Sequence, residues 1–168
     1  TLTSKMYDAA INLGLAGTFD EAIKIGEVVN VSSDRIAELG AEDGEKFLSL
    51  FDMDLIEDED FSLQNGEMFN TIPVENEWTK TVQKVSAITV NTTHGDELSI
   101  SKVKELFNPQ VETMEGAAFF YACLLEGISC IQLRAISNKV ERRNKENWDI
   151  KLAVQNLTQA SLKLLNEF

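Results

Sequence analysis

The sequence predicts an α/β domain in which helices cover a central sheet. Three observations predict it. Short apolar and β-branched runs at residues 9–15, 26–31, 85–92 and 129–136 are strand-like. Segments with helical spacing lie at 101–106, 115–125 and from Asp149 onward, so in the second half of the chain strands alternate with helices. A length of 168 residues with 43% hydrophobic content suffices for one domain with a sizeable core.

Ala9-Ala10-Ile11-Asn12-Leu13-Gly14-Leu15 is a mostly apolar run followed by Ala16-Gly17-Thr18, which predicts a buried strand entering a tight turn. Gly26-Glu27-Val28-Val29-Asn30-Val31 is β-branched and bounded by glycine and serine, a second strand. Residues 41–83 are the least regular part. They carry the acidic run Glu57-Asp58-Glu59-Asp60 and the turn pair Asn65-Gly66, and read as solvated loops.

Val85-Ser86-Ala87-Ile88-Thr89-Val90-Asn91-Thr92 predicts a strand, and residues 101–106 a short helix stopped by Asn108-Pro109. Residues 115–125 form a small-residue-rich apolar helix ending at Gly127. Residues 129–136 show little polar alternation, so that strand should be central and buried on both faces. Ile150, Ala153, Val154, Leu157, Ala160, Leu164, Leu165 and Phe168 recur at helical spacing in the last helix.

Composition narrows the function classes. Lys+Arg is 15 against Asp+Glu 28, a net charge of -13, which disfavours polyanionic partners; no nucleic acid and no membrane surface is expected. No run reaches the roughly 18 apolar residues of a membrane span. Cys123 and Cys130 sit in apolar runs and read as reduced thiols, which fits a cytoplasmic protein. The chain opens Thr1-Leu2-Thr3-Ser4 without an initiator methionine and reaches a strand-like segment almost at once, so an extension toward the N-terminus is expected.

Two motifs carry the chemistry. In Val111-Glu112-Thr113-Met114-Glu115-Gly116-Ala117-Ala118, Glu115 stands at the start of an apolar helix. That position alone is explained by the helix dipole. A functional Glu115 would instead accept hydrogen bonds from two adjacent ribose hydroxyls and favour a positively charged, oxocarbenium-like sugar. In Arg134-Ala135-Ile136-Ser137-Asn138-Lys139-Val140, Asn138 follows a buried strand at its C-terminal end, where α/β sheets bind ligands. It is either a turn residue bonding its own backbone or a carboxamide that addresses N7 and a 6-oxo group of a purine together. An aspartate there would have to be protonated to donate to N7, which suits an adenine leaving group better.

Other residues are weaker. The small residues Gly14 to Thr18 could present backbone N–H groups and the Thr18 hydroxyl to a ligand. His94, the only histidine, lies in a polar turn beside Gly95-Asp96 and reads as a surface residue. Arg134, inside an apolar strand, needs a carboxylate partner, with a structural ion pair as the default. No Cys/His cluster has metal-ligand spacing and no Walker-type loop is present.

Asn12-Leu13-Gly14-Leu15-Ala16-Gly17-Thr18-Phe19, Ile25-Gly26-Glu27-Val28-Val29, Thr113-Met114-Glu115-Gly116-Ala117-Ala118 and Arg134-Ala135-Ile136-Ser137-Asn138 occur in the order of the nucleoside phosphorylase and nucleosidase superfamily, which the chain resembles over nearly its whole length. The stretch from Ser137 to Asn144, then Glu146-Asn147-Trp148-Asp149-Ile150, is most similar to the futalosine hydrolase branch. The resemblance implies a three-layer α/β/α sandwich around a mixed, partly barrel-like sheet, with residues 1–168 forming one such domain that lacks its N-terminal part. It implies hydrolysis of a purine nucleoside without metal or other cofactor, in a homo-oligomer. Futalosine would give hypoxanthine and dehypoxanthine futalosine, a step of menaquinone biosynthesis.

By the same resemblance Met114 and Glu115 would hold the ribose. Ala16 and Gly17 would line the sugar pocket, and Asn138 would bind and stabilise the leaving base. The acid that activates water would lie before residue 1. Leu98 and Phe19 are the candidates for stacking on the base. Arg142 and Arg143 read as a solvated basic cluster, with contact to a distal substrate carboxylate as the other reading. The alternatives are a methylthioadenosine/S-adenosylhomocysteine nucleosidase, against which Asn138 argues, a 6-oxopurine nucleoside phosphorylase, and a nucleoside-binding protein without catalysis.

Overall fold

Nine strands and three helices are placed in a computed structural model that describes residues 7–44, 46–56, 63–64 and 66–168. In chain order they are β1 (Ala10–Thr18), β2 (Val28–Ile36), β3 (Gly40–Asp43), β4 (Lys46–Ser49), β5 (Leu63–Gln64), β6 (Glu67–Phe69), β7 (Lys84–Thr89), α1 (Glu97–Phe107), β8 (Val111–Thr113), α2 (Gly116–Leu125), β9 (Cys130–Lys139) and α3 (Ile150–Leu165).

Seven strands form one mixed sheet in the order β5-β6-β2-β7-β8-β1-β9, and β2 also pairs with β9. That extra pairing closes β2, β7, β8, β1 and β9 into a five-stranded barrel-like ring. The pairs β1–β9, β2–β7 and β7–β8 are parallel, while β1–β8 and β2–β9 are antiparallel. Closure removes the exposed edges that β2 and β9 would otherwise present. The architecture is the α/β/α arrangement with a partly barrel-like sheet.

Burial explains the strands. In β9 the residues from Cys130 to Ser137 are all buried, as expected for a strand covered on both faces. Val29, Val31, Val85, Ala87, Val111 and Ile136 join Ala117, Phe120 and Cys123 of α2 in the largest apolar cluster. Val103 of α1 packs with Ile88 and Val90. Leu164 of α3 packs on Ile131 and Leu133, with Leu157 and Trp78 alongside. Helix ends follow local chemistry. Asp96 caps α1 by accepting from the N–H groups of Leu98 at 3.0 Å and Ser99 at 3.2 Å. Asn108, with φ 45°, ends α1 in the left-handed region just before Pro109. Asp149 caps α3 through the N–H of Leu152 at 2.8 Å.

The structure departs from the sequence reading in three places. Ala16-Gly17-Thr18 is not a tight turn. Strand β1 runs through it, because Gly17 and Thr18 pair with both β8 and β9. A register shift between Ala16 and Gly17 sets Gly17 opposite Asn138 and leaves Ser137 as the extra residue of a bulge. The stretch 41–83 is not all loop. It contributes to the β3–β4 hairpin, adds β5 and β6 to the sheet edge and includes a short 3-10 turn at Thr79–Thr81. The acidic run 57–60, Asn65 and residues 1–6 lie outside the described residues. Finally, Val111–Thr113 forms a strand of its own, too short to be recognised by alternation.

Candidate active site

Strands β1, β8 and β9 supply the floor of a cavity of about 450 Å³, and the loops after β7 and β9 supply its rim. Ala16, Gly17, Met114, Glu115 and Asn138 all line this cavity, together with Arg134, Ser137 and His94. The residues singled out from the two motifs and from the small-residue stretch therefore meet in one place, although Ala16 and Asn138 are more than a hundred positions apart.

Glu115 occupies the N-cap position of α2 but makes no capping bond. The first N–H groups of α2 are satisfied from behind. Thr89 Oγ1 accepts from Ala117 N at 2.8 Å, and Thr113 Oγ1 accepts from Gly116 N at 3.4 Å. The Glu115 carboxylate is thus released from the helix end; its side chain is 66% exposed and 3.6 Å from Arg134 Nη2. No capping bond therefore holds this acid at the helix start. Met114, half exposed, sits beside it on the cavity wall.

Arg134 is 1% exposed in side chain and is held as the sequence required, by a carboxylate. It is also tied to neutral groups. Nη1 donates to Asn12 Oδ1 at 3.2 Å and Nη2 to Gln132 Oε1 at 3.3 Å. Burial pulls its pKa down, and the charges of Glu115 and Asp34 oppose that shift. The ion pair is part of the cavity rather than of the core.

Behind the cavity lies a fully buried carboxylate, Asp34. Thr89 Oγ1 donates to its Oδ1 at 2.9 Å and Gln132 Nε2 to its Oδ2 at 3.1 Å. Burial drives its pKa up to about 7, against the hydrogen bonds from Gln132 and Thr89 and the charge of Arg134. Gly116 is needed for this packing, since a Cβ there would collide with the Asp34 carboxylate and with Gln132.

Asn138 is half-buried near the end of β9. Its Oδ1 accepts from Ser137 Oγ at 2.8 Å, and its Nδ2 donates to the Lys139 carbonyl at 2.8 Å. Each end keeps one further valence, an acceptor lone pair on Oδ1 and a second hydrogen on Nδ2. The local bonds thus orient the amide plane without using it up. Gly17 gives it room: a Cβ there would lie 3.2 Å from Asn138 Nδ2.

Several sequence expectations are corrected. Thr18 is buried and bonds internally, its Oγ1 reaching the carbonyls of Asp20 at 3.1 Å and Gln110 at 3.2 Å, so it offers nothing to a ligand. His94 is not a surface residue. Its side chain is 12% exposed, its ring is paired through Nδ1 with Glu112, and its backbone N–H donates to both Glu112 oxygens at 3.1 and 3.3 Å. The Glu112 side chain is buried on β8. The hydrogen bond to Glu112 raises the His94 pKa, burial opposes this, and the charges of Glu112 and Glu38 add to the rise. Leu98 is 81% exposed and, like the buried Phe19, does not line the cavity. The aromatic group on its wall is Trp148, with the Arg143 guanidinium 5.2 Å from the ring centroid. Arg142 borders a separate depression beside α1.

Comparison with known proteins places the chain in a family. A family model for the phosphorylase superfamily matches residues 5–168. The chain is 29% identical over 169 residues to a futalosine hydrolase of Thermus thermophilus, with 95% of this chain and 70% of that protein covered. It is 26% identical over 164 residues to a futalosine hydrolase of Streptomyces coelicolor, covering 97% of this chain and 67% of that protein. A solved 5′-methylthioadenosine/S-adenosylhomocysteine nucleosidase of Colwellia psychrerythraea, in complex with adenine, shares the fold with a TM-score of 0.67 at 20% identity, over 95% of this chain and 67% of that one. The chain thus spans about two thirds of the length of the proteins it matches.

Proposed function

The chain belongs to the phosphorylase superfamily, and we propose that it is a purine nucleosidase that hydrolyses futalosine to hypoxanthine and dehypoxanthine futalosine, a step toward menaquinone. One observation carries the reading: an uncapped Glu115 carboxylate and a part-free Asn138 carboxamide line the same cavity.

Glu115 grips the two ribose hydroxyls. Met114 flanks the sugar, and Ala16 and Gly17, which carry almost no side chain, let it approach the floor of the cavity. As the C1′–N9 bond breaks, positive charge grows on the sugar and is favoured by the Glu115 carboxylate. Arg134 keeps that carboxylate in place. Negative charge grows on the purine, where the spare hydrogen of Asn138 Nδ2 meets the 6-oxo oxygen and its carbonyl oxygen accepts from the proton gained at N7. A methylthioadenosine/S-adenosylhomocysteine nucleosidase is the second reading, favoured by the likeness to the adenine-bound enzyme. Asn138 counts against it, because an adenine leaving group is served better by an acid at that position. The protein is proposed to act in the cytoplasm as a homo-oligomer; among the described residues no helix is long and apolar enough to cross a membrane.

The test offers the full-length protein futalosine, inosine and methylthioadenosine separately in phosphate-free buffer, with the released bases separated by chromatography. Hypoxanthine from futalosine supports the reading. Adenine from methylthioadenosine, with no hypoxanthine from futalosine, selects the second one. Turnover that appears only after phosphate is added makes the protein a phosphorylase.

A further inference from the structure

We propose that His94, held by Glu112, is the acid that delivers a proton to the departing purine. The inference rests on the nucleosidase reading above and adds a catalytic residue to it.

A 6-oxopurine leaves with the electron pair of its glycosidic bond and needs a proton. Asn138 can donate a hydrogen bond but has no proton to give up near neutral pH. Most other charged groups on the cavity wall are committed elsewhere. Glu115 faces the sugar and Arg134, and a guanidinium does not release its proton. Lys139 is paired with Glu21 at the surface, and Glu141 accepts from Asn147 Nδ2 at 2.8 Å. His94 remains, and imidazole is the side chain suited to proton transfer at this pH.

Its setting is built rather than incidental. Glu112 engages the ring through Nδ1 and the backbone N–H with both oxygens, which fixes the ring and its orientation. The edge of Phe19 packs on it with ring centroids 6.3 Å apart. Nε2 has no hydrogen-bond partner among the described residues, while Thr93, His94 and Gly95 line the cavity. Gly95 lies against the segment that follows Asn138; a Cβ there would be 3.9 Å from Arg143 N and 4.0 Å from the Glu141 carbonyl. The loop of His94 therefore meets the cavity beside the base-reading strand end. The charges acting on the ring are Glu112 from β8 and Glu38 after β2; Glu42 from β3 and Lys102 from α1 line a neighbouring depression with His94, and Arg143 after β9 lines the cavity. Glu112 and Glu38 keep the imidazole protonated above its ordinary range.

The step balances. The C1′–N9 bond breaks with its electron pair passing to the purine, and the Nε2 proton moves to a purine ring nitrogen. A water oxygen bonds to C1′ and its surplus proton passes to solvent. The neutral imidazole then recovers a proton from solvent. The sum is nucleoside plus water to free base plus sugar.

The test measures kcat and KM for futalosine against pH in the full-length wild type, His94→Gln and Glu112→Gln. The wild type should lose kcat as pH rises through the raised His94 value. His94→Gln should lower kcat by roughly 10²–10⁴-fold, with KM changed far less, and should lack that alkaline limb. Glu112→Gln keeps the imidazole but removes its carboxylate, so the limb should move to lower pH; it decides the matter if His94→Gln does not fold. His94→Gln retaining kcat within about threefold and an unchanged alkaline limb would overturn the proposal. So would an unmoved limb in Glu112→Gln. A wild type that releases no hypoxanthine refutes the nucleosidase reading itself, an outcome distinct from wild-type turnover that survives loss of His94.

Discussion

Gly14 lies opposite Arg134 in the parallel β1–β9 ladder, and the guanidinium fills the space that a side chain at position 14 would occupy. A Cβ at Gly14 would collide with Nη1 and lie 3.0 Å from Cζ. The pair explains how a buried arginine reaches across β1 to the Glu115 carboxylate. Gly14→Ala should displace the guanidinium, costing on the order of 1–3 kcal/mol of stability. It should also lower kcat/KM for futalosine at least about tenfold, because Glu115 loses its anchor. Thermal unfolding and steady-state kinetics on the same preparation check both effects.

Glu115→Gln separates the two explanations of that acid. The side chain makes no capping bond but is the carboxylate partner of the buried Arg134 guanidinium, so the variant should lose on the order of 1–3 kcal/mol of stability. Its kcat should fall by roughly 10²–10³-fold, the scale of losing one electrostatic contact to the transition state. A kcat unchanged by the substitution would leave Glu115 as a helix-start acid and the partner of Arg134.

Asp34 makes stability depend on pH in a direction opposite to an ordinary salt-bridged acid. Its folded pKa of about 7 lies above the ordinary 3.8, so between these values the folded chain holds a proton that the unfolded chain has released. The resulting stabilisation is complete below the lower value and is lost as pH rises through the upper one. The unfolding free energy of the wild type relative to Asp34→Asn should therefore decline from about pH 4 to 7, with a slope of at most about 1.4 kcal/mol per pH unit. Denaturant titrations across that range measure it.

Cys123 and Cys130 are free and buried. Burial raises the Cys123 thiol and pushes Cys130 up to about 12, the neighbouring Cys123 adding to the latter. Neither should react with a disulfide reagent at pH 8 in the folded protein, and both should react once denaturant is added. A thiol titration with and without denaturant reads this directly.

Much of the fold was legible because burial leaves a local mark. The apolar run of β9 and the helical spacing of α3 each declare themselves within a dozen residues. What escaped depends on partners remote in sequence. Ala16-Gly17-Thr18 looks like a turn until β8 and β9 pair with it, and β8 has only three residues. The same holds for the site. Met114, Glu115 and Asn138 stood out through local context, whereas His94 looked solvated because its partner Glu112 is 18 positions away. The one local signal was Glu112 itself, a second carboxylate three residues before Glu115, and its burial became visible only with β8 in place. Asp34 and Thr89 gave no sign of their role behind α2, since nothing local marks a polar group that closes a helix end from another strand.

The most direct measurement is the ratio of kcat/KM for futalosine to that for methylthioadenosine, in the full-length wild type and in Asn138→Asp. If Asn138 reads a 6-oxopurine in the cavity where Glu115 holds the ribose, the wild-type ratio strongly favours futalosine. The substitution should then lower that ratio by about tenfold or more, the scale of one mispaired polar contact. A ratio unchanged by Asn138→Asp, with the protein still folded and active, would contradict the account and leave Asn138 as a strand-end residue bonded to Ser137 and Lys139.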